Sequence, residues 1–313
     1  MIKKKYVNTS EMCFVDFPLS FFFDYDKKDV ISIVTGCKIG KIKRILVNIP
    51  FVRELIKTEE KGWVDKCKPS SLIVLFDQRR NYSYYAKKIE SMVREDTRLI
   101  LYLLNPISFS DDYKELSKRW EIWSFSEKDC ADNGLMYGET FYSECIPQQF
   151  KDVDISKDVF FIGTDKGRGK TIEHIKNKLI DYGLNVDIRI ADNKKHIYNR
   201  RYSRYLKYKE NCKEVASSKM LLEVVQNGQT GLTLRTMEAL FFNKKLITNN
   251  AYIKNSIIYR PENFFVIGDD RWEDFEKFVS VPFQSIPDGV KREFSLDRWI
   301  ERLLNNTEFG SNE

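Results

Sequence analysis

Short apolar runs alternate with amphipathic segments along most of this chain. In the first half the apolar runs have the length and the β-branched or aromatic content of strands, at 30–35, 44–49, 71–76, 98–104 and 121–125. The segments between them show apolar residues at helical spacing, at 51–57, 82–94 and 111–119. Regular alternation of strands and helices predicts a mostly parallel sheet with helices on both of its faces.

The alternation weakens between residues 126 and 154 and then begins again. The second half predicts strands at 158–162, 185–190, 220–225, 244–248 and 264–267, helices at 170–182, 208–218, 270–278 and 296–304, and a central helix after residue 233. We therefore predict two α/β domains, 1–153 and 154–313, with the last helix able to pack back on the first domain. Ligands of such sheets bind beyond the carboxyl ends of the strands, so the loops there carry the candidate sites.

The net charge of the chain favours anionic binding partners but does not identify one. Lys and Arg number 52 against 46 Asp and Glu, a net charge of +6, which favours sugar nucleotides, lipid phosphates, anionic membranes or nucleic acid. The six cysteines form no C-x-x-C pair and have no histidine near them, which indicates reduced thiols in the cytosol and no zinc site. The sequence shows no signal-peptide pattern and no apolar run long enough to span a bilayer, so we expect a cytosolic or membrane-peripheral protein.

A glycine-containing loop, FFIGTDKGRGKT, follows the first strand of the second domain. Gly163 and Gly169 are one residue too far apart for a P-loop, and Ile172 stands at the third glycine of a dinucleotide fingerprint. What remains is a basic loop that opens a helix, which suits an anion. The alternative is a plain strand-to-helix turn with solvated lysines. The candidate anion contacts are Gly163, Lys166, Arg168 and Lys170.

The segment 227–250, NGQTGLTLRTMEALFFNKKLITNN, combines a glycine-loosened loop with a short helix. Thr233 suits the N-cap, and Asn243 stands where a left-handed residue would end the helix. Arg235 and Glu238 lie on one face; the helix start and the arginine suit the phosphates of a nucleotide diphosphate, and the glutamate suits its ribose hydroxyls. An Arg–Glu surface pair on an ordinary amphipathic helix explains the same residues. The candidate contacts here are Thr230, Gly231, Thr233, Arg235 and Glu238.

Residues 194–209 interleave seven Lys or Arg with tyrosines and contain no acidic residue. This pattern is used to hold single-stranded nucleic acid, and it serves equally to dock on anionic lipid headgroups. A solvated loop with a few packed tyrosines is the alternative, and no nucleic-acid-binding motif supports the sharper interpretation. We take Tyr202, Arg204 and Tyr205 as the candidate contacts with an acceptor or a membrane.

Histidine offers little catalytic chemistry, since the chain contains only two. A general base must then be a carboxylate, and Asp77, which closes the strand SSLIVLFD, is the best placed. Asp16, in FVDFP, is the second candidate. An aspartate at the end of a strand is commonly a turn residue, and this alternative stays open for both.

Two α/β halves, a basic glycine loop opening the second and the GLTLRTMEAL helix near its end resemble a GT-B glycosyltransferase. That fold has two Rossmann-like domains whose parallel sheets face each other across a cleft. More narrowly, NGQTGLTLRTMEALFFNKKLITNN, DVFFIGTDKGR and WSFSEKDCADNGLMY look like glycosyltransferases of bacterial lipopolysaccharide and capsule biosynthesis. The resemblance covers most of residues 70–270.

The resemblance implies a nucleotide-sugar donor, such as a uridine diphosphate (UDP) sugar, on the second domain and an acceptor on the first. It implies no cofactor and no metal, because protein cations and a helix dipole offset the diphosphate charge. Carried over residue by residue, Gly163, Lys170 and Arg235 fall at the diphosphate, and Glu238 falls at the ribose.

Two positions depart from the family pattern. Retaining members often carry two glutamates with seven residues between them, but Thr230 stands eight positions before Glu238, which favours inversion. Glu223, in MLLEVVQ, stands where the family leads us to expect an aspartate.

The sequence thus predicts a GT-B glycosyltransferase, cytoplasmic or on the cytoplasmic face of the inner membrane, that extends a bacterial surface glycan such as O-antigen or capsule. A base would deprotonate an acceptor hydroxyl, which attacks the anomeric carbon as nucleotide diphosphate leaves. An NAD-dependent oxidoreductase is disfavoured by the failed dinucleotide fingerprint. The alternative from another class is a non-catalytic protein that binds nucleic acid or anionic lipid through residues 194–209.

Overall fold

The computed structural model divides the chain into two compact units. One comprises Met1–Gly138 and Leu304–Glu313, and the other comprises Glu139–Leu303. Residues 139–153, which we assigned to the first domain, therefore belong with the second unit. The structure describes residues 12–16, 22, 31–33, 65–77, 82–107, 111–192, 202–226 and 231–310.

The first unit contains a parallel sheet whose described strands run in the order β2-β1-β3-β4-β5-β6. These strands are β1 (Met12–Val15), β2 (Ile31–Ile33), β3 (Leu72–Phe76), β4 (Arg98–Leu103), β5 (Trp120–Ser124) and β6 (Met136–Tyr137). Its described α-helices are α1 (Tyr82–Glu90) and α2 (Glu127–Asn133), and Asp111–Glu115 forms a 3-10 helix. Every residue of β1 and β3 is buried, as expected for strands covered on both faces.

The second unit contains a parallel sheet in the order β12-β11-β10-β7-β8-β9. Its strands are β7 (Lys157–Gly163), β8 (Val186–Ala191), β9 (Tyr202–Ser203), β10 (Ser218–Glu223), β11 (Lys245–Thr248) and β12 (Phe264–Val266). Its described helices are α3 (Cys145–Gln148), α4 (Gly169–Asp181), α5 (Tyr208–Ala216), α6 (Leu234–Phe241), α7 (Phe275–Ser280), α8 (Asp288–Glu293) and α9 (Leu296–Asn305), with 3-10 helices at Ala251–Asn255 and Trp272–Asp274.

Each sheet has one reversal point, a pair of neighbouring strands from which the chain continues outward in opposite directions. In the second unit β8 and β9 lie on one side of β7, and β10, β11 and β12 lie on the other, which is the order of the Rossmann fold. In the first unit the chain runs from β1 outward to β2 on one side and to β3 on the other. The predicted fold class, α/β with two Rossmann-like parallel-sheet domains, is confirmed.

Local signals predicted the central helix well. Thr233 is the N-cap of α6, and Asn243 has the left-handed backbone expected after the helix, with a φ of 53°. The α-helix predicted at 111–119 is only a 3-10 helix over Asp111–Glu115, and a turn in which the Trp120 N–H donates to the Ser117 carbonyl leads from it into β5. The predicted strand 44–49 and helix 51–57 lie outside the described residues.

Residues 304–310 belong with the first unit although all of the second unit precedes them. Along the short strand β6, the Tyr137 N–H donates to Glu308 Oε1 at 2.7 Å, and the Tyr137 carbonyl accepts from the Phe309 N–H at 3.0 Å. The two aromatic rings also pack edge to face. The returning segment thus satisfies polar backbone groups of β6 that a bare edge strand would expose.

Among the described helices, none has the length and apolar character needed to cross a membrane.

Two adjacent lysines at the start of β11 reach the carboxyl ends of helices. Lys244 Nζ donates to the Ala216 carbonyl at 2.8 Å, at the last residue of α5. Lys245 Nζ donates to the carbonyls of Phe278 and Val281 at the end of α7. Cations stabilise the carbonyl ends of helices, but burial opposes their charge and lowers the pKa of Lys244 to about 8.

Replacing Lys244 by Met should therefore change how stability depends on pH. Between pH 8 and pH 10.5 the unfolded wild-type chain holds a proton on Lys244 that the folded chain has lost, so its unfolding free energy rises with pH. Lys244→Met cannot titrate and lacks this rise, which we expect to be on the order of 2 kcal/mol. Urea unfolding of both proteins across this range measures it. A constant difference between them would show that Lys244 keeps its ordinary pKa.

Candidate functional site

Two strand ends meet at the reversal point of the second unit. β7 ends at Gly163 and leads through a tight turn into α4, while β10 ends at Glu223 and leads into α6. The two strands are direct neighbours in the sheet. Open parallel sheets bind their ligands beyond the carboxyl ends of the strands at such a reversal point, so the candidate site lies here.

The turn between β7 and α4 is shaped by its own aspartate. Asp165 Oδ1 accepts the Gly169 N–H at 2.8 Å, at the first residue of α4. Lys166 and Gly167 both have left-handed backbone, with φ of 46° and 83°. A Cβ atom on Gly169 would lie 2.9 Å from Asp165 Oδ1, so a larger residue there would displace the carboxylate that accepts the Gly169 N–H. Gly167 and Gly169 thus serve the local geometry of this turn. The turn follows the pattern of neither the P-loop nor the dinucleotide fingerprint.

The three predicted cations of this turn have different surroundings. The Arg168 guanidinium donates to the Thr164 carbonyl, with its Nε at 3.3 Å and Nη2 at 3.2 Å, and its Nη1 donates to the Val224 carbonyl beyond β10. Burial lowers the pKa of Arg168, while the nearby carboxylates of Glu223 and Asp165 oppose that shift. Lys166 and Lys170 are exposed, and neither forms an ion pair within the described part of the chain. Arg168 therefore ties the turn to β10, and the two lysines are the charges presented to solvent.

The start of α6 is held by side chains from three directions. Thr233 Oγ1 accepts the N–H groups of Arg235 at 3.0 Å and Thr236 at 3.4 Å. The Gly231 carbonyl accepts from Asn250 Nδ2 at 2.9 Å, and the carbonyl of residue 232 accepts from Thr140 Oγ1 at 2.7 Å. Gly231 has a φ of 84°, a conformation that favours glycine. Thr230, another predicted contact, lies outside the described residues.

Arg235 and Glu238 form the pair that their spacing predicts, but the pair is buried. Arg235 Nη1 lies 2.6 Å from Glu238 Oε2, and the two side chains are only 13% and 3% exposed. Asn211 on α5 joins them, donating to Glu238 Oε1 at 2.7 Å and accepting from Arg235 Nη2 at 3.3 Å. The alternative of an Arg–Glu pair is thus present, inside the domain rather than on its surface. Contact of either residue with a ligand stays a prediction.

Glu223 is a residue of this site to which sequence reasoning gave no role. It ends β10, is only 4% exposed, and accepts hydrogen bonds from the hydroxyls of Thr233, Thr236 and Thr248. The signal in the sequence was a charged residue closing an otherwise apolar strand. Its partners lie 10, 13 and 25 residues further along the chain, so no local pattern connects them.

In the first unit, Asp16 and Asp77 follow the two strands that flank the reversal point, β1 and β3. Asp16 is buried and has an unusual left-handed φ of 56°. Asp77 Oδ1 accepts the Leu104 N–H at 2.8 Å, and its Oδ2 accepts the N–H and Nδ2 of Asn105 at 3.1 and 3.0 Å. Burial raises the pKa of the Asp77 carboxyl, and these donors oppose part of the rise. The two aspartates therefore close neighbouring strand ends, and Asp77 also holds the segment after β4.

The basic–tyrosine segment is described only from residue 202 onward. Tyr202 lies in β9 at the edge of the sheet and packs against the core. Arg204 donates to both carboxylate oxygens of Glu210 at 3.2 and 3.1 Å, and Tyr205 is 45% exposed. The first acid after the acid-free stretch therefore pairs with one of its arginines.

Comparison with known proteins gives a likeness of fold. No protein family and no curated protein matches this chain. Among solved structures it is similar to the UDP-GlcNAc 2-epimerase from Methanocaldococcus jannaschii, with 13% identity and a TM-score of 0.46, over 94% of this chain and 99% of that one. It is also similar to the DNA-modifying enzyme beta-glucosyltransferase, with 12% identity and a TM-score of 0.45, over 94% of each chain. Superpositions this loose carry no argument about activity, which we infer from the site itself.

The buried Arg235–Glu238 pair should be strongly coupled in folding. Arg235→Met leaves the Glu238 carboxylate buried without its cation, and we expect the unfolding free energy to fall by about 3 kcal/mol. Arg235→Met combined with Glu238→Gln removes both charges and should cost less than the sum of the single changes, by roughly 1 kcal/mol or more. Urea unfolding of the wild type, the two single variants and the double variant measures this coupling. Additive losses would mean that the two charges do not depend on each other.

Proposed function

We propose that this chain is a glycosyltransferase that moves a sugar from a nucleotide-diphosphate donor, a UDP sugar in the first instance, to a hydroxyl of a growing bacterial surface glycan. The observation that carries the proposal is the reversal point of the second unit. There two exposed lysines, Lys166 and Lys170, stand at the start of α4 beside the ordered start of α6. An anion of diphosphate size suits this combination of cations and helix starts.

The charge of the donor is offset by the protein. At the starts of α4 and α6, the N–H groups of Gly169, Arg235 and Thr236 already donate to the capping side chains of Asp165 and Thr233. The contribution of these helix ends is therefore mainly their dipoles, which favour negative charge. The carboxylates of Glu223 and Asp165 lie close enough to Arg168 to offset its charge, so Lys166 and Lys170 provide the positive charge for the donor. On this basis the transfer needs no metal ion.

The first unit binds the acceptor and supplies the base. Asp77 is the first candidate: its raised pKa makes it a better proton acceptor, and its Oδ1, which accepts only one of the three hydrogen bonds, keeps a lone pair for an acceptor hydroxyl. Asp16, at the neighbouring strand end, is the second. The base removes the hydroxyl proton, the oxygen bonds to the anomeric carbon, and the bond from that carbon to the diphosphate breaks, so nucleotide diphosphate leaves with the electron pair. Direct attack of this kind inverts the anomeric centre, in agreement with Thr230 in place of a second glutamate.

Thermal unfolding with a set of nucleotide sugars tests the proposal most directly. A ligand at a hundred times its Kd stabilises the folded state by about 2.7 kcal/mol, so the true donor should raise the Tm clearly. A single-stranded oligonucleotide and anionic vesicles test the binding-protein alternative in the same assay. Product analysis then separates transfer from hydrolysis and epimerisation of the bound donor. Loss of turnover in EDTA, restored by manganese, would contradict the metal-independent proposal.

Lys166→Ala and Lys170→Ala should each weaken binding of UDP while leaving the fold intact. Both side chains are exposed, so folding loses little, but a charge-assisted phosphate contact contributes roughly 1.5–3 kcal/mol, and we expect Kd to rise about tenfold. Lys176→Ala, further along α4, is the matched control and should bind as the wild type does. Calorimetry measures the Kd values. Equal, small losses for all three variants would indicate only a general effect of net charge.

Asp77→Asn should lower turnover by roughly two to four orders of magnitude while UDP binds with unchanged affinity. The amide is almost isosteric with the carboxylate but is a far weaker base, and one of its positions would meet an N–H donor of Leu104 or Asn105. The melting temperature must therefore be measured beside the rate, with Asp16→Asn in parallel. If Asp77→Asn keeps its turnover and Asp16→Asn loses it, Asp16 is the base.

A further inference from the structure

Glu223 stands at the centre of a hydrogen-bond network at the donor end of the second unit. Its Oε1 accepts the hydroxyls of Thr233 and Thr236, the latter at 2.9 Å, and its Oε2 accepts the hydroxyl of Thr248 at 2.5 Å. Two of these threonines lie at the start of α6 and the third ends β11. One carboxylate thus connects the ends of two strands with the beginning of a helix.

An ionised carboxylate only accepts hydrogen bonds, and this property sets the direction of every bond around it. Each threonine has one hydroxyl proton, which it gives to Glu223, so its lone pairs are left to accept backbone N–H groups. Thr233 Oγ1 accepts those of Arg235 and Thr236, and Thr248 Oγ1 accepts that of Asn250 at 2.9 Å. The cap of α6 therefore depends on Glu223 Oε1 as an acceptor, and the Thr248–Asn250 contact depends on Oε2.

The network extends to the loop before α6. Asn250, whose N–H is fixed by Thr248, donates through its Nδ2 to the Gly231 carbonyl at 2.9 Å. On the other side, Arg168 of the β7–α4 turn donates to the carbonyl of Val224, the residue after Glu223. The backbone on both sides of the reversal point is thus anchored at or next to this one residue.

The length of the side chain accounts for the departure from the aspartate that the sequence resemblance led us to expect. An aspartate is one methylene shorter, and from the end of β10 it would lack the reach to hold hydroxyls on both α6 and β11. Glu223 is almost fully buried, so it holds the site from beneath the surface rather than touching solvent.

We propose that Glu223 is a positioning residue for the donor diphosphate: by fixing three threonine hydroxyls it holds the capped start of α6 and the backbone beside it in the arrangement that receives the anion, without contacting the anion itself. The proposal rests on the proposed function for the identity of the anion, but not for the network itself. Removal of the acceptor at Glu223 should therefore loosen the start of α6 and weaken anion binding together.

The test compares Glu223→Gln with Glu214→Gln. The glutamine amide donates from one of the two positions where the carboxylate accepted, so at least one threonine hydroxyl loses its acceptor and must reorient its proton, which weakens its hold on the backbone N–H. Glu214, on α5, pairs with Lys157 and Arg189 at the amino end of the same sheet, away from the strand ends that bind ligands, and is the matched control. Hydrogen exchange at the amides of Arg235, Thr236 and Asn250, and calorimetry with UDP and with inorganic pyrophosphate, are measured for both variants and the wild type.

In Glu223→Gln we expect at least tenfold faster exchange at one or more of these amides and about tenfold weaker binding of both UDP and pyrophosphate. Glu214→Gln should change neither quantity. Unchanged exchange in Glu223→Gln would overturn the network, and faster exchange with unchanged affinity would overturn the positioning role. If the wild type binds pyrophosphate but not UDP, the nucleotide-sugar function fails, while the pyrophosphate comparison still decides the role of Glu223. If it binds neither, both proposals are wrong.

Thr248→Val is a second variant that tests the same network if Glu223→Gln fails to fold. It removes one hydroxyl donor and keeps the charge, the shape and the strand preference of the position. We expect faster exchange at Asn250 and roughly threefold weaker binding of UDP and pyrophosphate. Wild-type behaviour of this variant in both measurements would contradict the proposal.

Discussion

Parallel pairing brings the carboxyl ends of all strands in a sheet to one edge, and both units of this protein depend on that constraint. Side chains far apart in the sequence become neighbours there because each closes its own strand. Asp16 and Asp77 follow neighbouring strands of the first unit, and Gly163 and Glu223 end neighbouring strands of the second. The candidate chemistry lies at these edges, while strands such as β1 and β3 behind them are entirely buried.

The formal charge of the chain overstates the charge that it can offer a ligand. Arg168 donates to backbone carbonyls, and Arg235 is neutralised by Glu238. Lys244 and Lys245 donate to backbone carbonyls at the carboxyl ends of helices. Several cationic side chains of the second unit are thus bound to its own backbone carbonyls and buried carboxylates. At the described strand ends around β7 and β10, the exposed Lys166 and Lys170 are the cations available to an anion.

Local signals in the sequence predicted the helices and strands better than they predicted the contacts of the candidate site. Thr233 and Asn243 could be assigned because capping depends on residues within a few positions of the helix end. The spacing of Arg235 and Glu238 predicted their pairing but not their burial, because Asn211, which joins them from α5, lies 24 and 27 residues away. The partners of Glu223 and of Asp77 were equally out of reach, since they follow from the tertiary arrangement of strand ends. The helix predicted at 111–119 is only the 3-10 helix Asp111–Glu115, a difference that the spacing of its apolar residues did not reveal.

The segment 304–310, which completes the edge strand β6, has a consequence for how the protein is made. The first unit is discontinuous: the whole second unit is synthesised between its main part and the residues that cover β6. On the ribosome, the first unit must therefore wait with that edge uncovered until the second unit has emerged. A fragment ending at residue 138 would leave this edge of β6 permanently uncovered. The first unit therefore cannot be expressed as a complete domain by cutting the chain once, because residues 304–310 must be joined to it.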